Sequence, residues 1–402
     1  MSKHAPRSQS ALSRSSLCRA IATCLLAGAM LPAMAQDAAP EEDPGQVGDA
    51  ASWRTDEFMA DWGLGAIGAE YAYARGLTGH GIRLGVFDSG VALDHAEFAG
   101  GDHIGLKFGD PGCSNLTDLW GCFYSDGGQA SVEGYLAPDG YVWGSGNALD
   151  LEYNAHGTHV GGTMAAGRNG SGMHGVAFGS GLVSAQLFTN RLNEYFFGPN
   201  GLDSNVHGTS PSDEALADMY AQMAANGVRA INHSWGFTIP LDSAGFADFV
   251  YDALGAGFFE PYAAGSRDHG MLQVWAAGNG GDDGVAGNGT GYYAGVTATL
   301  PRWLPELEAY WLSVANMNLD GEIDGSSNIC GLSMDWCITA PGTMIASSVV
   351  WGELSGEVVV GEDGSLTLEF EDPDRQLGYA YYTGTSMAAP HVTGALALLM
   401  ER

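Results

Sequence analysis

Positive charge is scarce in this chain: 15 Lys and Arg stand against 47 Asp and Glu over 402 residues, a formal charge of −32. That argues against a nucleic-acid partner, because no basic stripe exists to displace counterions from a phosphate backbone. Long apolar runs are missing too. The stretch from Ala20 to Leu31 is shorter than the about 20 residues a membrane-spanning helix needs, and no later segment matches even that. Glycine, with 61 copies, shows no three-residue period, so a collagen-like chain is ruled out and loop-rich packing is suggested. Apolar side chains are not lacking: 45% of the residues are hydrophobic, with 10 Trp, 16 Tyr and 15 Phe, enough for a substantial core. The acidity is therefore that of a folded protein, since a disordered acidic chain lacks the apolar groups to offset its ordering entropy.

The few basic residues are unevenly placed. Lys3, Arg7, Arg14 and Arg19 precede the apolar stretch, which is followed by Pro32 and then Ala33-Met34-Ala35. This order is that of a secretory signal peptide, residues 1–35, cleaved after Ala35. The mature chain then has 11 basic residues against 47 acidic, with Lys107 its only lysine. Cysteine is sparse as well. Cys18 and Cys24 leave with the signal, and the other four form two close pairs, Cys113 with Cys122 and Cys330 with Cys337. Such spacings suit local disulfides in an oxidising compartment, although four cysteines allow three connectivities. Neither pair has the two-to-four-residue gap typical of a zinc site.

Residues 36–52 are rich in Ala, Pro, Asp and Glu and read as a flexible leader; globular composition begins at Trp53. Short apolar runs at Ile82–Phe87, Leu182–Phe188, Ala230–Ser234, Leu272–Ala276 and Trp311–Ala315 predict buried parallel strands. Between them, Ala155–Ala166 and Asp213–Asn226 have helical patterns. In the second, Leu216, Met219, Tyr220 and Met223 share a face, and Ser212 can cap. Alternating strands and helices predict one α/β domain, residues 53–402, with a mainly parallel sheet and functional groups at the carboxyl ends of its strands.

Three strings carry the chemistry. Asp88 ends a strand in Asp88-Ser89-Gly90; alone, an Asp there is more often a cap or turn residue. His156-Gly157-Thr158-His159-Val160 opens a helix whose small residues let it lie close to the sheet. Its His-x-x-His spacing lacks the geometry and the Glu of a zinc peptidase motif. Gly384-Thr385-Ser386-Met387-Ala388-Ala389-Pro390 places Ser386 at a helix start, where backbone N–H groups and the helix dipole can face a developing anion. In that order the three strings closely resemble the signature blocks of subtilisin-like serine proteases, peptidase family S8. The Asp, His, Ser order separates that family from chymotrypsin-like enzymes and α/β-hydrolases.

The resemblance implies a three-layer α/β fold with a seven-stranded parallel sheet between helices. It also implies peptide-bond hydrolysis through an acyl-enzyme, with Ser386 as nucleophile, His156 as base and Asp88 orienting His156. Val274-Trp275-Ala276-Ala277-Gly278-Asn279 resembles the family's oxyanion segment, which would make Asn279 and the Ser386 N–H the oxyanion donors. Ser234-Trp235-Gly236, with Ala277 and Gly278, would line the groove that pairs with an extended polypeptide substrate. No cofactor is required. Many relatives bind structural calcium, and Asp282 and Asp283 are the acids that would serve one here, but adjacent acids in a Gly-rich loop are more often simply solvated. No metal ligand is assigned. His159 and His391 read as packing residues.

Both intervals between the triad blocks exceed those of compact family members. The surplus contains the Cys113 and Cys122 loop, the Asn190 to Pro211 segment, the Trp303 region, and a hairpin-like stretch from Glu357 to Phe370 with its turn at Asp363-Gly364. Residues 36–52 leave no room for the usual folding propeptide, and Arg402 lies sixteen residues past Ser386, so the peptidase domain reads as truncated at its C-terminus. Together with the segment from Ala60 to Ala72, these features resemble the passenger domains of Gram-negative autotransporters, in which a stem and an outer-membrane barrel follow in a longer chain. An exported protease, secreted or displayed on the cell surface, is the leading expectation. The alternative is a surface-displayed binding or adhesion module on an inactive protease scaffold.

Overall fold

The computed structural model describes residues 45–109, 124–136, 148–188, 191–193, 196–198, 201–203, 211–237, 239–281, 292–360, 366–371 and 374–402. Its centre is a sheet of seven strands: β1 (Arg83–Asp88), β2 (Ile104–Gly105), β3 (Gly181–Gln186), β4 (Val228–His233), β5 (Leu272–Ala276), β6 (Trp311–Met317) and β7 (Cys337–Pro341). Their spatial order is β7-β6-β5-β4-β1-β3-β2. Every pairing is parallel, which accounts for the near-continuous apolar runs: a parallel sheet is covered on both faces.

Alternation along β1 shows the two faces. Leu84 and Val86 pack with Val160, Met164 and Leu182 on one side, while Phe87 joins Met219, Tyr220 and Met223 on the other. The first face is covered by α1 (His156–Ala165) and α5 (Thr385–Met400), and the second by α2 (Asp213–Ala225), α3 (Ala244–Leu254) and α4 (Ala256–Arg267). The chain thus has the parallel α/β sheet that the strand and helix pattern predicts, in the three-layer form that the family resemblance implies. In α2 the four residues of the predicted apolar face are the buried ones, and the Ser212 side chain accepts from the Ala215 N–H. No helix among the described residues is long and apolar enough to cross a membrane.

Two of the surplus segments, the start of 190–211 and the 357–370 hairpin, meet in one sheet, while Trp303 instead stacks on Tyr251 of α3. A second sheet joins Val132–Leu136, Ala148–Tyr153, Arg191–Asn193, Glu353–Val360 and Leu366–Glu371. Glu353–Val360 runs antiparallel to both Leu366–Glu371, completing the predicted hairpin, and Ala148–Tyr153, which ends three residues before His156. Cys330 and Cys337 are disulfide-bonded, with Cα atoms 5.7 Å apart. Cys113, Cys122, Asp282, Asp283 and the Asp363-Gly364 turn lie outside the described residues.

The leader needs correction at its inner end. Residues 45–52 were expected to be flexible, yet they fold back on the body of the domain. The Gln46 carbonyl accepts from the indole N–H of buried Trp53 at 2.9 Å, and the Arg168 guanidinium lies 4.5 Å from that ring's centre. Composition missed this because the anchor is one aromatic side chain buried against a distant residue.

Candidate active site

β1 delivers Asp88 to the carboxyl edge of the sheet, fully buried. Its Oδ1 accepts from His156 Nδ1 at 2.7 Å and from the Ser89 N–H at 2.7 Å. A carboxylate only accepts, so Nδ1 carries the hydrogen and the neutral ring presents its lone pair at Nε2. The start of α1 is stitched to the loop after β1. The Gly157 N–H donates to Ser89 Oγ at 2.9 Å, and the Ala92 N–H donates to Thr158 Oγ1 at 3.0 Å. A side chain at Gly157 would collide with the Gly90 carbonyl, so glycine there lets His156 approach Asp88.

Ser386 is the second residue of α5, largely buried, and α5 packs on α1. Close approach of that helix again depends on a missing side chain: a Cβ at Gly394 would lie 2.6 Å from the Val176 side chain. The Ser386 hydroxyl donates to the Ser234 carbonyl at 3.0 Å, and the Ser234 hydroxyl donates to the Ser386 carbonyl at 2.7 Å. The Ser386 N–H belongs to the first turn, where no intrahelical acceptor exists.

Asn279 follows β5 and sits beside the same helix start. Its Oδ1 accepts from the Thr385 N–H at 2.8 Å and from Thr385 Oγ1 at 2.9 Å, while the Gly278 N–H donates to Thr385 Oγ1 at 3.1 Å. A backbone N–H must face an acceptor, which fixes the amide orientation and leaves Nδ2 as the outward donor. Gly384, at φ 152°, lies close against this amide, where a Cβ would sit a tight 3.1 Å from Nδ2. Ala277 is held by its neighbours: its carbonyl accepts from Asn328 Nδ2 at 3.0 Å. Trp235 packs edge-on against Trp275 and Phe188, and Gly236 follows it along the same wall.

The other two histidines in the signature strings are structural. His159 is fully buried, stacked on Tyr382, with Nε2 donating to the Ile345 carbonyl at 2.9 Å; burial pushes its pKa down to about 3. His391 has Nδ1 on the Met387 carbonyl at 2.9 Å and Nε2 on Asp61 Oδ2 at 3.0 Å. Burial alone would lower its pKa, but the Asp61 carboxylate and these acceptors raise it, so a buried ion pair ties the start of the domain to α5. Among the described residues no group of three or more His, Cys, Asp and Glu could hold a metal ion.

A family model described as the subtilase family, Peptidase_S8, matches residues 79–402. The chain belongs to the subtilase family. Among curated relatives, this subtilase is 30% identical over 419 residues to an extracellular serine protease of Serratia marcescens, an alignment covering 95% of this chain and 33% of that one. It is 27% identical to serotype-specific antigen 1 of Mannheimia haemolytica, over 81% of this chain and 34% of the relative. It thus spans about a third of the length of these relatives. Among solved structures, proteases from Pseudoalteromonas arctica superpose with a TM-score of 0.51 at 20% identity, covering 90% of this chain and 87% of theirs, which speaks to the fold alone.

Three contributors escape a reading of the motifs: Thr385, which holds Asn279; the Ser234 side chain, which reaches the Ser386 carbonyl; and Asp61, which pairs with His391. The first two lie inside quoted strings and could have been found by asking which side chains orient the reactive ones. Asp61 had no signal, because its partner is 330 positions away.

Proposed function

We propose that the chain is a serine endopeptidase that cleaves polypeptides through an acyl-enzyme. The observation that carries this reading is the 2.7 Å contact between Asp88 and His156, the first residue of α1, together with the packing of α1 on α5, whose start bears Ser386 and meets the Asn279 amide. Ser386 Oγ gives its proton to His156 Nε2 and attacks the scissile carbonyl carbon. A neutral hydroxyl is too weak a nucleophile near pH 7 without that base. Asp88 keeps Nε2 free to accept and stabilises the imidazolium. Negative charge on the former carbonyl oxygen is met by Asn279 Nδ2 and the Ser386 N–H. His156 then protonates the leaving amine, and water releases the acyl group by the reverse route. None of these steps calls on a cofactor. At rest the Ser386 hydroxyl is bonded to the Ser234 carbonyl, so it must rotate toward His156 before attack.

Ser234-Trp235-Gly236 and Ala277-Gly278 flank the proposed groove. Main-chain pairing there would give broad sequence tolerance, with preference set by pocket shape. We place the protein outside the cell, as an autotransporter passenger. Support comes from the basic, apolar, A-x-A start and from relatives named as an extracellular protease and a serotype-specific antigen. N-terminal sequencing of exported protein should begin at Gln36.

A fluorophosphonate probe tests the chemistry. Labelling of the folded protein that disappears in Ser386→Ala is expected. A folded chain that takes no label would overturn the reading and favour a binding module on an inactive scaffold.

A further inference from the structure

Pro390 stands four residues after Ser386 inside α5. In a regular helix the N–H of residue 390 would donate to the carbonyl of residue 386, but proline has no N–H and its ring crowds that carbonyl. The nucleophile's own carbonyl therefore loses its helical donor. The Ser234 hydroxyl takes the place of that donor, at 2.7 Å.

The polarity of the surrounding polar groups follows from this one acceptor. Because the Ser386 carbonyl can only accept, Ser234 Oγ must spend its single hydrogen there and can only accept from its other side. Asn232 Nδ2 donates to it at 2.8 Å, which turns Asn232 Oδ1 toward the Thr393 hydroxyl at 3.1 Å, whose hydrogen it shares with the Ala389 carbonyl, also at 3.1 Å. Thr393 lies two turns along α5, so the chain of bonds leaves the nucleophile helix, crosses β4 and returns to the same helix. Asn232 and Thr393 are fully buried and Ser234 nearly so, so water does not substitute for a missing member.

We propose that the Ser234 side chain, held by Asn232 and Thr393, is a positioning group that replaces the helical donor removed by Pro390 and fixes the backbone of Ser386 for attack. This rests on the serine-peptidase reading. The Ser234 side chain touches the carbonyl of Ser386 and not its hydroxyl, which meets only the Ser234 backbone carbonyl, and it acts by setting where Ser386 Oγ and the Ser386 N–H point.

The test is the rate of fluorophosphonate labelling, with kcat and KM on a peptide ester, in the full chain. Ser234→Ala should slow labelling and kcat by about 10- to 100-fold, the size expected when a buried carbonyl loses a donor, with KM little changed. In a Pro390→Ala background residue 390 regains its N–H, so Ser234→Ala should cost much less there. Asn232→Leu, similar in size and without a donor for Ser234, should reproduce the slowing without deleting the hydroxyl and serves if Ser234→Ala fails to fold. Equal labelling of wild type and folded Ser234→Ala, equal losses with and without Pro390, or an unchanged rate in folded Asn232→Leu would overturn the proposal. A folded wild type that takes no label would instead overturn the protease reading itself.

Discussion

At the scale of single residues, Asn279 offers the most direct check on the proposed chemistry. Asn279→Ala should lower kcat by about 10²- to 10³-fold, the range known from subtilisin, a member of the same family, while KM changes little. Steady-state kinetics on a peptide ester read both. Glu97 gives a pH signature away from the site. It is buried, accepts from Tyr379 OH at 2.5 Å and from Asn169 Nδ2 at 3.0 Å, and burial pushes its pKa up to about 8. Between the ordinary carboxylate range and pH 8 the folded state thus holds a proton that the unfolded state has released. Stability from this group is complete at low pH and declines as pH rises toward 8. His391, raised by Asp61, acts in the same direction, whereas His159 and His233, both pushed down to about 3 by burial, lower stability as pH falls below 6.5. On going from pH 5 to pH 8, the urea midpoint of Glu97→Gln should move upward relative to that of the wild type, because the decline contributed by Glu97 is gone.

At the scale of elements, close approach of α1 decides the geometry of His156. Gly162 faces the Ser347 and Ser348 hydroxyls of the strand Ile345–Trp351, with no space for a Cβ. Gly162→Val should push α1 away, costing on the order of 1–3 kcal/mol by overpacking and slowing fluorophosphonate labelling beyond what the lost stability explains. The small residues of this helix were legible in the sequence. So were the five predicted strands, because runs buried on both faces leave a continuous apolar signature. Asp88 and His156, which meet, and Ser386 and Asn279, which share one helix start, were legible as motifs. The second sheet was legible only in its Glu357 to Phe370 hairpin. Glu353–Val360 pairs with Ala148–Tyr153 across about two hundred positions, and no local periodicity encodes such a partnership. The ordered stretch at 45–52 escaped for the same reason, since Trp53 meets Arg168 only in the folded chain.

At the scale of the whole molecule, 47 acidic residues share one chain with 15 Lys and Arg. Their mutual repulsion destabilises the compact state and is screened by salt. The Tm should therefore rise as sodium chloride increases from 10 mM to about 300 mM, a trend that scanning calorimetry can follow. Reducing the Cys330–Cys337 bond, or replacing both with Ser, should cost about 2 kcal/mol for so short a loop. The surface pairs that exist, such as Arg375 with Asp94 and Arg302 with Asp248, are too exposed to offset the charge imbalance.

The carboxylate of Glu401 accepts from the N–H groups of Thr78 and Gly79, both at 2.6 Å, so residues at opposite ends of the domain meet in one place. Time enters through that closure. Asp88 and His156 emerge early in synthesis, and Ser386 follows His156 by 230 residues, an interval of about 10–50 s at ordinary translation rates. Until then the proposed triad lacks its nucleophile and α1 has no α5 to rest on. The proposed peptidase site is therefore silent while the stretch from His156 to Ser386 is being made, and can cut only once α5 has been added and seated.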